Sequence, residues 1–106
     1  MIVAMQGTPE FNDYSLVLRA MGVLLSEKDD TYTVYTIGGH KLNQQVAEFA
    51  NVAKLQERGV DFKVRLRPAR SLDDYDLFYF FCNTGDHLSR QAAEADNNNK
   101  LFVFRS

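Results

Sequence analysis

The sequence predicts a three-layer α/β fold, an open and mostly parallel sheet of five strands in the order 3-2-1-4-5 with three main helices. Two observations carry this. Short apolar runs alternate with helix-periodic segments along all 106 residues, and that alternation implies parallel strands joined by right-handed crossovers. The run from Asp76 to Cys82 is apolar on both faces and belongs at the centre of a sheet. Phe62, Val64 and Leu66 instead alternate with Lys63, Arg65 and Arg67, as an edge strand with one wet face does.

The elements follow in order. Ile2 to Gln6 is a short apolar run ending at Gly7, the pattern of a buried strand. Gly7-Thr8-Pro9-Glu10-Phe11-Asn12-Asp13 is rich in turn formers and offers Asn12 or Asp13 as a helix N-cap. Tyr14, Val17, Leu18, Met21, Leu24 and Leu25 then recur at helical spacing. Thr31 to Ile37 is β-branched and aromatic, a second strand broken by Gly38-Gly39. Leu42, Val46, Phe49, Ala50 and Ala53 line one face of a second helix, expected to stop at Gly59. Strand three spans Phe62 to Leu66, and strand four Asp76 to Cys82. Asn83-Thr84-Gly85-Asp86 is expected to turn directly into a third helix bearing Leu88, Ala92 and Ala95, with Thr84 or Asp86 as its cap and His87 on its first turn. Lys100 to Phe104 supplies the fifth strand.

Composition narrows the function classes. One domain spanning 1–106 is the expected organisation for this length. Twelve Lys and Arg against fourteen Asp and Glu give a net charge of −2, which argues against nucleic-acid binding driven by overall charge and leaves local basic clusters free to meet phosphates. The single cysteine, Cys82, has no internal disulfide partner, and no Cys/His spacing resembles a zinc site. No basic leader and no apolar run near about 20 residues appears, so a soluble, cytoplasmic protein with no membrane partner is expected.

In a sheet of order 3-2-1-4-5 the topological switch lies between strands one and four, and ligands settle outside the carboxyl ends of the strands beside it. Three glycine-bearing loops converge there. Gly7-Thr8 leads into a helix, where backbone N–H groups and the helix dipole favour an anion; the alternative is a Gly used only for turn geometry. Gly38-Gly39-His40-Lys41 has the makings of a phosphate loop, or of a turn with a solvated Lys and His. In Asn83-Thr84-Gly85-Asp86, Thr84 and Asp86 offer oxygens either to cap a helix or to bond a ribose hydroxyl. The link from Arg67 to Tyr75 must cross above strands two and one. Three strand spacings and the return along a strand make a diagonal of about 22 Å. Its nine residues reach about 30 Å extended, so the link fits without a long helix and can carry Arg67 or Arg70 to the ligand. Arg65 reads better as a solvated basic edge. The expected ligand-binding set is therefore Gly7, Thr8, Gly38, Gly39, His40, Lys41, Arg67, Arg70, Thr84, Gly85 and Asp86, with no metal and no cofactor.

These motifs, in this order, resemble the SLOG superfamily, the Rossmann-like group that includes the YpsA-like, DprA-like and LOG proteins, and within it the small YspA/YpsA-related branch. Gly7-Thr8-Pro9-Glu10-Phe11-Asn12-Asp13-Tyr14 stands where that branch has a Gly-Ser-Arg-type turn followed by an aromatic and an acidic residue. Gly38-Gly39 and Arg58-Gly59-Val60-Asp61-Phe62 match its Gly-Gly loop and its Gly-Val segment, and Thr84-Gly85-Asp86 its last helix start. The resemblance implies a Rossmann-like fold and a nucleotide or nucleotide derivative as ligand. The family loop's third glycine and acidic residue are replaced here, in Gly38-Gly39-His40-Lys41-Leu42-Asn43-Gln44, and the Glu that its enzymes need after a Gly-Thr turn is absent. The resemblance thus implies binding ahead of N-glycosidic cleavage, for which Asp86 or Glu94 would have to substitute. A structural protein with the fold but no ligand is the third reading. Apolar positions on both faces of strands two and five, with a short link leaving one face thinly covered, predict a homodimer or larger assembly.

Overall fold

The computed structural model describes residues 1–67 and 74–106. Eight elements follow one another: β1 (Ile2–Gly7), α1 (Tyr14–Leu25), β2 (Thr31–Ile37), α2 (His40–Val52), β3 (Asp61–Arg67), β4 (Leu77–Cys82), α3 (Arg90–Asn97) and β5 (Leu101–Arg105). The strands form one sheet in the order β3-β2-β1-β4-β5, and every neighbouring pair is parallel.

The period of two along each strand sorts the core into two layers. On one face Val3, Met5, Tyr32, Val34, Tyr79 and Phe81 pack under α1 and α2, which contribute Leu16, Val17, Ala20, Met21 and Leu24 and then Leu42 and Val46. On the other, Ala4, Ile37, Phe78, Phe80 and Cys82 meet α3 through Ala92 and Ala95. β4 runs between both layers and is buried from Phe78 to Cys82, which is why its sequence shows no alternation. From Asp61 to Arg65 β3 alternates between half-buried and exposed positions as an edge strand should, and Leu66 and Arg67 at its end are both exposed.

Local signals set the helix ends. Asp13 caps α1, its side chain accepting from the Leu16 amide at 3.2 Å. Two expectations are corrected. α2 ends at Val52 rather than at Gly59; the chain then turns through Lys54 at φ +54° and Gly59 at φ +82°, anchored by the buried Leu55. α3 begins at Arg90, and its cap is Ser89, whose hydroxyl accepts from the Ala92 amide at 3.0 Å. Thr84 and Asp86 do not cap it, and His87 and Leu88 precede it. The reason is the closed turn at 83–86: the Asp86 amide donates to the Asn83 carbonyl at 3.0 Å, and the Asp86 carboxylate accepts from the Asn83 amide at 2.8 Å. A loop closed on itself delays the helix.

The face opposite α1 and α2 is less bare than expected over the middle of the sheet. Ala4 and Ile37 are buried there, and Tyr35 is half-buried. Apolar exposure is found instead at the edge strands, Leu66 on β3 and Phe102 and Val103 on β5, and at Leu18 and Val52 on the helices. Among the described residues no helix is long and apolar enough to cross a membrane.

Candidate functional site

At the carboxyl ends of β1 and β2 lies a cavity of about 360 Å³, within the range of small-molecule sites. Its rim is the backbone of Gly7-Thr8 and Gly38-Gly39 with Lys41, and its floor is Phe11, Ile37 and Leu42; Gln6, Pro9 and Gln45 complete it.

Each glycine has a different reason to be there. Gly38 sits at φ +94°, a conformation L side chains rarely adopt, and its amide donates to the Arg67 carbonyl at 3.3 Å. Gly7 needs no unusual backbone. A Cβ on it would stand 3.7 Å from Phe11 Cδ2 and 3.9 Å from Leu42 Cδ2, so its lack of a side chain keeps the floor open. Gly39 has extended backbone (φ −72°, ψ 154°) and occupies the N-cap of α2, where no side chain accepts a hydrogen bond. The orphan amides of a helix start carry partial positive charge. Here they stand beside Lys41, exposed in the same turn. The arrangement concentrates donors and positive charge at one lip of a cavity whose floor is apolar.

The third glycine loop is adjacent, and its polar groups are engaged within the protein. One Asp86 carboxylate oxygen accepts from both the Thr8 hydroxyl at 3.2 Å and the Asn83 amide at 2.8 Å. Asn83 Nδ2 donates to the Glu10 carbonyl at 3.4 Å, and the Thr8 amide to the Phe81 carbonyl at 3.0 Å. These bonds clasp the β4 loop to the β1 loop and hold Thr8 at the rim. Thr84 turns the other way, donating to the Ser106 carbonyl at 2.6 Å. Behind the clasp, Gln6 Oε1 accepts from the Ser89 hydroxyl at 2.5 Å, tying the end of β1 to the start of α3.

Of the expected residues, Gly7, Thr8, Gly38, Gly39 and Lys41 line the cavity. His40 is exposed beside it and is not part of the lining. Asp86 holds the neighbouring clasp, Gly85 lies in the same turn at φ +90°, and Thr84 is turned away to Ser106. Arg67 shares the opposite face of the sheet with Tyr35, its guanidinium carbon 4.9 Å from that ring's centroid. Arg70 lies outside the described residues. Sequence reasoning missed the apolar floor: Phe11 sits in a turn-rich segment, and Leu42 reads as ordinary helix core.

A larger groove of about 520 Å³ runs between the turns after α2 and the start of β3, past Asn51, Lys54, Glu57, Asp61 and Phe62. It flanks an edge strand, away from the converging loops, so topology favours the smaller cavity as the site. Cys82 is fully buried, and burial pushes its thiol pKa up, which keeps it an inert core residue. Among the described residues no group of three or more His, Cys, Asp or Glu is placed to hold a metal ion. No protein-family model, curated protein or solved structure matches the chain.

Proposed function

We propose that this chain binds a nucleotide or nucleotide derivative, retaining it without turnover in a sensing, sequestering or accessory role, as the SLOG resemblance implies. The observation that carries the reading is the cavity's asymmetry. An anion-favouring lip, the uncapped start of α2 with Lys41, stands across from an apolar floor of Phe11 and Leu42. A phosphate suits the first and a flat heterocycle the second. Retention ahead of cleavage is favoured by the lining, which among the described residues carries no carboxylate and no histidine. Self-association belongs to the same reading.

The test is calorimetry with a panel of mononucleotides and their nucleosides, alongside mass spectrometry of whatever co-purifies. Lys41→Ala should weaken a nucleotide by about 1.5–3 kcal/mol, the usual worth of a charged hydrogen bond, and its nucleoside far less. Gly39→Asp is the sharper variant, because no atom lies within 4 Å of its added Cβ. It supplies the missing cap, worth a few tenths of a kcal/mol in thermal stability, while placing a negative charge where the phosphate should sit. A more stable protein with lost nucleotide binding is expected. Unchanged affinity in both variants moves the site elsewhere, and release of free base from the panel replaces retention by N-glycosidic cleavage.

A further inference from the structure

Among the described residues the sheet has two free edges, and they are built differently. β3 exposes one apolar residue, Leu66, but sets it between Arg65 and Arg67 and exposes Asp61 and Lys63 as well, the charged trim by which natural sheets discourage edge-to-edge pairing. β5 has no charge from Leu101 to Phe104. Phe102 and Val103 are 39% and 37% exposed and, as strand neighbours, stand on opposite faces of the sheet. The backbone of β5 is half-used. The Lys100 carbonyl accepts from the Phe78 amide at 2.9 Å, and the Ser106 amide donates to the Cys82 carbonyl at 3.0 Å. Pairing to β4 therefore runs through the even-numbered residues, and the N–H and C=O groups of Leu101, Val103 and Arg105 point out of the sheet.

We infer that β5 pairs antiparallel with β5 of a second copy of this chain, about a two-fold axis at Val103, so that two sheets become one. In this register Val103 exchanges both backbone hydrogen bonds with the partner's Val103, and Leu101 does so with the partner's Arg105. Phe102 falls opposite the partner's Phe104 on the face that bears α1. That contact continues an aromatic ladder already inside the subunit: Phe11–Phe81 at 5.5 Å between ring centroids, Phe81–Phe104 at 5.3 Å and Tyr79–Phe102 at 5.3 Å. Lys100 falls opposite the partner's Ser106, so no like charges meet. The edge wants an uncharged, aromatic strand as its mate, and β5 is itself such a strand. A symmetric pair is also the commonest closed assembly. A contact limited to one five-residue edge strand falls short of the standard interface of about 1,600 Å², so a weak, reversible dimer is expected, to be sought over the micromolar range.

Sedimentation equilibrium across that range should show a reversible monomer–dimer system. Val103→Lys places like charges at the axis, and Val103→Pro removes an outward N–H without touching the ladder to β4. Each should raise the dissociation constant by about tenfold or more, a change of 1.4 kcal/mol per factor of ten, with the circular dichroism of the monomer preserved. Should the proline variant fail to fold, the lysine variant still decides the matter. In the wild type the amides of Leu101, Val103 and Arg105 should exchange more slowly as concentration rises. A clean 12.1 kDa monomer throughout, or a dimer that the variants leave intact, overturns the proposal.

Discussion

Tyr32 and Tyr79 lie fully buried on the same face of the sheet, yet their hydroxyls are treated differently. The Tyr32 hydroxyl accepts from the Asp29 amide at 3.0 Å and donates to the Leu24 carbonyl at 3.3 Å. The buried Tyr79 hydroxyl has no hydrogen-bond partner among the described residues. A satisfied buried hydroxyl contributes about 1 kcal/mol net, whereas an unsatisfied one carries its desolvation cost without return. Tyr32→Phe should therefore lower stability by about 1 kcal/mol in urea unfolding, and Tyr79→Phe should leave it level or raise it. An equal loss in both would mean that the Tyr79 hydroxyl has a partner after all. Burial, with Glu27 next in importance, pushes the Tyr79 pKa from 10.0 up to about 12. The sign follows from proton binding: above pH 10 the unfolded chain gives up this proton while the folded one keeps it. Stability should fall between pH 10 and 12 by about 1.4 kcal/mol per unit at most, and Tyr79→Phe should flatten that limb.

At the scale of elements, the helix caps show what local sequence can and cannot specify. Asp13 was legible as a cap because a turn-rich segment meets a helix-periodic one at that point. Its carboxyl is held below the usual carboxylate range, first by the Ser15 hydroxyl and then by the Leu16 amide. A depressed folded pKa means a contribution present above the unfolded value and lost as pH falls through the folded one, so α1 should fray first in acid. For α3 the expected cap was Thr84 or Asp86, the side-chain oxygens close after β4, and the observed cap is Ser89. Thr84 and Asp86 are drawn off by Ser106, Thr8 and Asn83, leaving Ser89 to hold the first turn. Ser89→Ala should cost about 1 kcal/mol, with 0.5–2 the usual span for a lost cap. Thr84→Ala should leave helix content unchanged by circular dichroism. Matching losses of helix content would return the cap to Thr84.

For the whole molecule, the balance of the two layers matters most. α3 approaches the sheet on two alanines, Ala92 and Ala95, both fully buried against a layer that includes Phe78 and Phe80. Interiors packed to crystal density have no room for added methylenes. Ala92→Leu should thus destabilise the domain by about 1–3 kcal/mol, read as a lower urea midpoint with an unchanged slope. Leu at the exposed Ala93 is the control and should be near neutral. A neutral Ala92→Leu would show that α3 sits farther from β4 than its small residues suggest.

The alternation of apolar runs with helical periods determined the element order, and chain chirality then determined the strand order 3-2-1-4-5. Both rest on local pattern plus one steric rule, so both could be read without coordinates. The glycines at the carboxyl ends of β1 and β2 were legible for the same reason, since topology says where those ends must lie. Only the tertiary structure decided what surrounds them. Phe11 and Leu42 become one floor because the loop after β1 folds against the first turn of α2, and Asp86 spends its oxygen on Thr8, a residue 78 positions away. A hydrogen bond between loops so far apart in sequence depends on how distant segments meet in space, and nothing in the neighbourhood of either residue encodes it.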